Sequence, residues 1–592
     1  MFLRAKYRHF VPVLVAISLF LLISDLPPAS AQSVGGQATT QVFIPLVFGL
    51  PPVHQGTLDN GGVVSGPDGI SIGAPAGSLT APVVVNLAST NPPTVTLPAP
   101  AQALGTYVHI SAAVPTYVSP QNPLVLAFPV PQGADTAHLA LAILQPFEQL
   151  HDVETTRPYW SFLEGMYDPA QDFFLTTGAA LTSEGEIYVL VEHPSYASPS
   201  TVAAAAGSSD RPSSAFTAQC VNFTNTTDCT STTESLAAAL LVGFENHLHG
   251  DLGFAPPHLR NTVQVISLVP PSVTVTGYMA YIEPNTFGYC GSAGVGGYYT
   301  PEEARMVLCL NPAVGLNEDY TKIWLHEYFH ATQYGYEGVM QDRAAGQTIN
   351  WVLDGMAKTT EESFYVNKMM RSLVGNWVEL FKVDTPLDWN TGSEPYFSQD
   401  FWVYYGQLYG HDLSYLKKVL SRGMETRDVA AALGSGDYLE PYWPWAKNQA
   451  IEATKTLDGA LKTPCELETN LVKLPSVFTY KFGDPDFITH DVTVTPLTTV
   501  VVEVQFDHNY DVAAGVVFPT NPDLGGRDIM ALEYKFYVEG ESGCDQVPEG
   551  PRIYQNVTVS DVYYVLIANK DIANTWDYTV AFEVHPPPST AE

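Results

Sequence analysis

Residues 320–336 of the chain read YTKIWLHEYFHATQYGY, and inside them stands His326-Glu327-Tyr328-Phe329-His330. On a helix, residues i and i+4 lie one above the other on a single face, so the two imidazoles of an H-E-x-x-H stretch can reach one ion. Glu327 then stands beside that ion, where a carboxylate can take a proton from a bound water. The flanks suit a helix. Asn317-Glu318-Asp319 offers a cap followed by acidic first-turn residues, and Gly335 is a C-terminal stop. The plain alternative is a solvated His/Glu helix face.

Two histidines leave such an ion short, because a catalytic zinc typically keeps three protein ligands and one open position. Trp351-Val352-Leu353-Asp354-Gly355-Met356-Ala357 begins 21 residues after His330, and Glu361 follows Asp354 on nearly the same helical face. Together, residues 326–330 and 351–357 resemble the gluzincin clan of metallopeptidases, the thermolysin and aminopeptidase kind. Its secreted bacterial members carry HEYFHxxQ-like helices, and its third ligand is often the Glu of a W-x-x-E-G-x-A stretch. The likeness covers roughly residues 216–460. It implies an α+β zincin-like domain, a zinc cofactor on His326, His330 and Asp354, and peptide-bond hydrolysis with Glu327 as general base.

This chain departs from that pattern at Asp354, which stands where the clan has Glu and is shorter by one methylene, about 1.5 Å of reach. Glu361 is therefore the second candidate for third ligand. Tyr396, just before the FSQDFW stretch, is by position a candidate donor to the oxyanion. The clan's aminopeptidases hold a free amine with the Glu of a G-x-M-E-N edge strand. Here Gly277-Tyr278-Met279-Ala280-Tyr281 is the expected edge strand, and Ala280 at that place favours an endopeptidase.

A chain of 592 residues exceeds one hydrophobic core, so roughly three or four domains are expected. Arg4, Lys6, Arg8 and His9, then the apolar run Phe10–Ile23 and Ala29-Ser30-Ala31, form a secretory signal over residues 1–31. Localisation is thus expected to be secreted or extracellular, with no stable membrane span after signal cleavage. Residues 32–55 suit a linker or first strand. Over 56–197, turn signals such as Asp59-Asn60-Gly61-Gly62 and Pro67-Asp68-Gly69 divide short Val/Ile/Leu runs into strands. The stretch GGVVSGPDGISIGAPAGSL resembles the opening of a β-sandwich module of netrin receptors and ankyrins, whose implied role is structural or adhesive. Residues 198–215 are a small-residue linker, 216–470 the zincin-like domain, and 471–592 strand-rich again. The fold class expected is multidomain: an α+β zincin-like metallopeptidase domain between N-terminal and C-terminal antiparallel β-sandwich domains.

A net charge of −35 repels nucleic acid and anionic membrane but does not identify a substrate; a protein or peptide substrate is the partner the metallopeptidase resemblance implies. Six cysteines in an exported chain are expected as disulfides, and pairing neighbours along the chain joins Cys220 to Cys229, Cys290 to Cys309 and Cys465 to Cys544. Histidines two apart diverge on a helix, so His247-Leu248-His249 with Asp251 is expected as a surface loop rather than a metal site. Asn222, Asn225 and Asn556 lie in N-x-S/T sequons. The second functional class open to this sequence is a non-catalytic cell-surface binding or adhesion protein whose central domain is degenerate.

Overall fold

Short Val/Ile/Leu runs closed by Gly, Pro and Asp turns build the first structured region from strands alone. The computed structural model describes residues 53–119, 121–145, 159–196, 215–225, 227–293, 295–344, 350–361, 387–388, 398–408, 413–446, 476–480, 487–506, 510–519, 531–536, 544–546, 552–557 and 562–585. The signal, the linker 198–214, Tyr396 and Cys465 lie outside them.

One antiparallel sheet of the first region orders Val53–Leu58, Val83–Thr90, Tyr107–Ala112, Glu186–Glu192, Leu139–Gln145 and Tyr159–Leu163. A second orders Met166–Asp168, Phe173–Gly178, Leu124–Pro129, Ser71–Gly73 and Val63–Ser65. Alternation along each strand sends Val85, Ile110 and Leu190 of the first sheet against Ile72, Leu126 and Phe174 of the second, in one shared core. The turn at Pro67-Asp68-Gly69 uses left-handed backbone at Asp68 and Gly69, φ 53° and 83°.

The central region carries a mixed sheet. Its elements in chain order are β1 (Ala215–Cys220), α1 (Ser231–Glu245), β2 (Asn261–Leu268), β3 (Pro271–Pro284), α2 (Gly288–Ala293), β4 (Gly297–Thr300), β5 (Arg305–Leu310), α3 (Glu318–Gln333), α4 (Glu337–Ala344), α5 (Asn350–Thr360) and α6 (Gln399–Leu408). The sheet order is β1-β3-β5-β4, with β2 folded back antiparallel on β3. Strands β1, β3 and β5 are mutually parallel, whereas β4 runs antiparallel to β5 at the sheet's edge. The expected edge strand Gly277–Tyr281 is therefore corrected: it lies within β3, between β1 and β5, and Gly297–Thr300 forms the edge. Internal cleavage loses its argument from Ala280.

Helix α1 runs on into a π-helical turn over Asn246–Asp251, which replaces the surface loop expected at His247–His249. The wider turn keeps the backbone hydrogen-bonded while His247 and Leu248 enter the core. His249 Nε2 comes to 3.1 Å from the Tyr328 hydroxyl, and burial pulls its pKa down to about 4.

The outer face of the first sheet is also covered. Ala142, Trp160, Phe162 and Val189 pack against Tyr281, Tyr289 and Val307 of the central region. Two buried arginines cross the same boundary. Arg260 donates to Thr177 O (2.5 Å), Thr176 Oγ1 (2.7 Å) and Glu164 O (3.1 Å). Arg305 donates to Phe162 O at 3.1 Å and pairs with Glu283 at 2.7 Å, its guanidinium 4.4 Å from the centre of the Tyr281 ring. Tyr281 donates in turn to Glu164, and Ser161 to Glu303.

Towards the C-terminus, Phe487–Val494, Trp576–His585, Tyr510–Pro519 and Arg552–Val557 form an antiparallel sheet. The companion sheet departs from the antiparallel expectation at one pair: Ser476–Tyr480 runs parallel to Thr499–Phe506. Two expected disulfides form, Cys220–Cys229 and Cys290–Cys309; the third pairing involves Cys465, outside the described residues. No helix among the described residues is long and apolar enough to cross a membrane.

Breaking a buried pair strands the partner's charge, which costs about 3–5 kcal/mol. Arg305→Ala should therefore lower the unfolding free energy by about that amount in urea titrations, and the double replacement Arg305→Met/Glu283→Leu should restore most of it. Asp400 on α6 supplies a pH test. It is 1% exposed and neither carboxylate oxygen has a hydrogen-bond partner among the described residues, so burial holds its pKa well above the usual carboxylate range. The folded state then keeps a proton that the unfolded chain releases near pH 4, and this residue's contribution to stability falls as pH rises above that value. Asp400→Asn should flatten the decline in melting temperature between pH 5 and 8.

Candidate metal centre

Helix α3 begins where the Asn317 side chain accepts from Tyr320 N at 3.0 Å, with Glu318 and Asp319 against the positive end of the helix dipole. From Trp324 to Gln333 every residue is buried. Trp324, Leu325, Tyr328 and Phe329 join the main core, and Tyr328 packs its ring on Phe216 and Phe244. Such packing fixes the helix's rotation and turns His326, Glu327 and His330 to the remaining side.

The two imidazoles stand 4.7 Å apart between ring centres and nearly perpendicular, with their Nε2 atoms 3.0 Å from each other. Their Nδ1 atoms are both committed. His326 Nδ1 lies 3.0 Å from Glu361 Oε1, and Glu361 Oε2 accepts from Lys358 Nζ at 2.7 Å. Burial alone would raise the Glu361 carboxyl; the His326 hydrogen bond and the Lys358 ammonium outweigh it and hold the group below its ordinary range. An ionised carboxylate only accepts, so His326 Nδ1 carries the hydrogen. His330 Nδ1 lies 2.8 Å from Gln333 Oε1, and Gln333 Nε2 donates to Leu353 O at 3.1 Å. That second bond orients the Gln333 amide, so His330 Nδ1 is a donor as well.

With both hydrogens on Nδ1, two Nε2 lone pairs face one another at 3.0 Å. Asp354 adds negative charge, its Oδ1 lying 3.5 Å from His330 Nε2. A proton shared between the two Nε2 atoms or a bound metal ion would satisfy such a constellation. His326, His330 and Asp354 offer three ligand atoms, all within 4.8 Å of one another and all buried, so the group could hold a metal ion. The shorter reach of the aspartate is met by helix spacing. The Gln333–Leu353 bond ties α3 to α5 one residue before Asp354.

The sequence candidates separate in space. His326, His330 and Asp354 come together, Glu361 sits behind the His326 ring on Nδ1, and Tyr396 lies outside the described residues. Glu327 is buried beside the edge strand: a Cβ added at Gly297 would stand 3.1 Å from Glu327 Cγ, a tight approach that its neighbours would have to yield to. Three participants escaped the sequence reading. Gln333 stands at i+3 from His330, a spacing that signals a side-chain pair on a helix. Gly297 on β4 and Tyr289 on α2 had no local signal. Burial and then the Glu327 charge push the Tyr289 phenol up to about 12, so it keeps its proton at neutral pH.

The chain matches no protein-family model and no curated protein.

Partners that orient a ligating histidine are typically worth about 10–100-fold in metal affinity. Glu361→Gln and Gln333→Ala should each weaken metal binding by about that factor in chelator competition while leaving a bindable site. Asp354→Ala, which removes a ligand atom, should weaken it further than either.

Proposed function

We propose that the chain is an exported zinc-dependent peptidase whose ligands are His326, His330 and Asp354 and whose general base is Glu327. The observation that carries this reading is the His326–His330 pair, with both Nδ1 atoms donating to fixed acceptors and both Nε2 atoms turned to each other and to Asp354. The donor set fits the ion. Ligands at about 2.0–2.1 Å on a tetrahedral zinc stand about 3.3–3.4 Å apart, close to the 3.0 and 3.5 Å found between His326 and His330 and between His330 and Asp354. A third site made of one carboxylate leaves one position open, the hallmark of a catalytic rather than a structural zinc.

Bound zinc would supply a water of lowered pKa and a Lewis acid for the substrate carbonyl. The chain's own residues do the rest. Glu327, next to His326 on the same helix, accepts the water proton and returns it to the leaving amine. Among the described residues β4 is the last strand on this side of the sheet, and it packs against Glu327 at Gly297. This mixed sheet with an antiparallel edge strand and α3 and α5 behind it supports the zincin-like reading of the central region. The paired antiparallel sheets of the first region, meeting in one core, support a β-sandwich there.

A positioned general base is worth about 10²–10⁴-fold. Glu327→Gln should thus cut peptide hydrolysis by at least about 10²-fold while the purified protein keeps stoichiometric zinc by elemental analysis. Full activity in that variant overturns the assignment. Absence of zinc from the wild-type protein would favour the cell-surface binding reading instead.

A further inference from the structure

Residues 255–260, APPHLR, lead into β2 and touch both the first region and the helix that carries the histidine pair. Arg260 is the end fixed to the first region. Its guanidinium donates to the Glu164 carbonyl and carboxylate, to Thr176 Oγ1 and to Thr177 O. Its backbone is held as well: Arg260 N donates to Ala304 O at 2.6 Å, and Arg260 O accepts from Met279 N at 2.8 Å.

His258 is the end fixed to α3. The last four carbonyls of a helix have no partner within it. Tyr334, Gly335 and Tyr336 turn back to satisfy His330, Thr332 and Gln333, and His258 N supplies the bond to Ala331 O at 2.8 Å. Ala331 directly follows the candidate ligand His330. The His258 ring reaches the edge strand, with Nδ1 2.8 Å from the Tyr299 hydroxyl, which itself donates to His258 O at 2.6 Å. Little slack is left between the two ends. Pro256 and Pro257 have a fixed φ, Leu259 is buried in the main core, and a Cβ added at Gly335 would collide with Pro256 O.

The two regions also meet at a second place. Ile266 and Leu268 of β2 pack on Val125, Ala127 and Leu175 of the first region, in a cluster that includes none of residues 255–260.

We propose that Arg260 is a positioning residue for the metal centre: it holds residues 255–260 on the first region, and through the His258–Ala331 bond this sets where His330 stands at the end of α3. The proposal rests on the metal-centre reading above and gives the first β-rich region a share in building that centre. Ligand atoms must stand within a narrow distance of the ion, so a helix end that drifts costs affinity. The Gln333–Leu353 bond fixes that end towards α5, and the His258–Ala331 bond fixes it towards the first region.

The test uses cobalt(II) in place of zinc, because its visible absorption bands report ligand geometry and not protein stability. Full-length wild type, Arg260→Met, Thr176→Val and Leu268→Ala are loaded at a temperature where circular dichroism shows each fully folded. Thr176→Val removes one acceptor of Arg260 from within the first region, whereas Leu268→Ala loosens the boundary away from residues 255–260. Arg260→Met and Thr176→Val should shift the cobalt bands and weaken metal binding about 2–30-fold in chelator competition. Leu268→Ala should lower the melting temperature and leave bands and affinity at their wild-type values. Should Arg260→Met fail to fold, Thr176→Val decides. Unchanged bands and affinity in Thr176→Val overturn the proposal and leave the metal centre standing. An equal shift in Leu268→Ala does the same, since loosening alone would then be the cause. A wild-type chain that takes up no cobalt overturns the metal-centre reading and the proposal with it.

Discussion

Two imidazoles carried into a protein core must dispose of four ring nitrogens, and this requirement organises the centre of the molecule. His326 and His330 solve half of it with acceptors at Nδ1, Glu361 in one case and Gln333 in the other. The other half converges at 3.0 Å, where a shared proton or a bound metal ion would satisfy both nitrogens. Each acceptor does a second job. Gln333 also holds the Leu353 carbonyl, which draws α5 against α3 and brings Asp354 to the pair; Glu361 also holds Lys358, which keeps the carboxylate ionised. Removing any one of these contacts would leave a buried polar atom unsatisfied and loosen the arrangement around the two rings.

The first β-rich region is part of that support rather than an appendage. Its outer sheet face lies on β3, β5 and α2, the elements behind and beside the edge strand. Arg260 and Arg305 reach across with bonds that end on backbone carbonyls and carboxylates, so each guanidinium is hydrogen-bonded in the core. Burial pushes the Glu283 carboxyl up while Arg305 opposes it, a balance expected where an ion pair is held without water. The glycines Gly296 and Gly297 then let the lead-in to β4 settle directly onto α3, close to Ile323 and Glu327.

Much of this was legible along the chain. The cap at Asn317, the extent of α3 and the shared face of His326 and His330 follow from helix periodicity and were expected where they occur. So were the strands at Val83–Thr90, Leu124–Pro129 and Glu186–Glu192, whose Val/Ile/Leu runs end in turn residues. Others were not. Residues 277–281 have the composition of an edge strand, yet β3 lies inside the sheet, because strand order is set by which neighbours cover it and not by its own letters. His247 and His249 looked like a loop, since a π-helical turn has no signature in residue spacing. Tyr289, on a separate helix, feels the Glu327 charge, an influence no motif encodes.

The sequence by itself determined what is local: the two histidines and Glu327 on one helix and the helix's start; it left the cysteine pairing open, and the structure joins the neighbours 9 and 19 residues apart. What is local depends on distances that a single element sets, and periodicity reports them. Only the tertiary structure decided between Asp354 and Glu361 at the cluster. The two carboxylates share nearly one helical face, and their roles part according to how closely α5 approaches α3 at each level. That approach is governed by the Gln333–Leu353 bond and by the packing of Trp351 against Trp402 on α6, contacts between residues 20 and 51 apart in the chain. Which carboxylate joins the two histidines is therefore a property of helix packing, which side-chain spacing along one element cannot express.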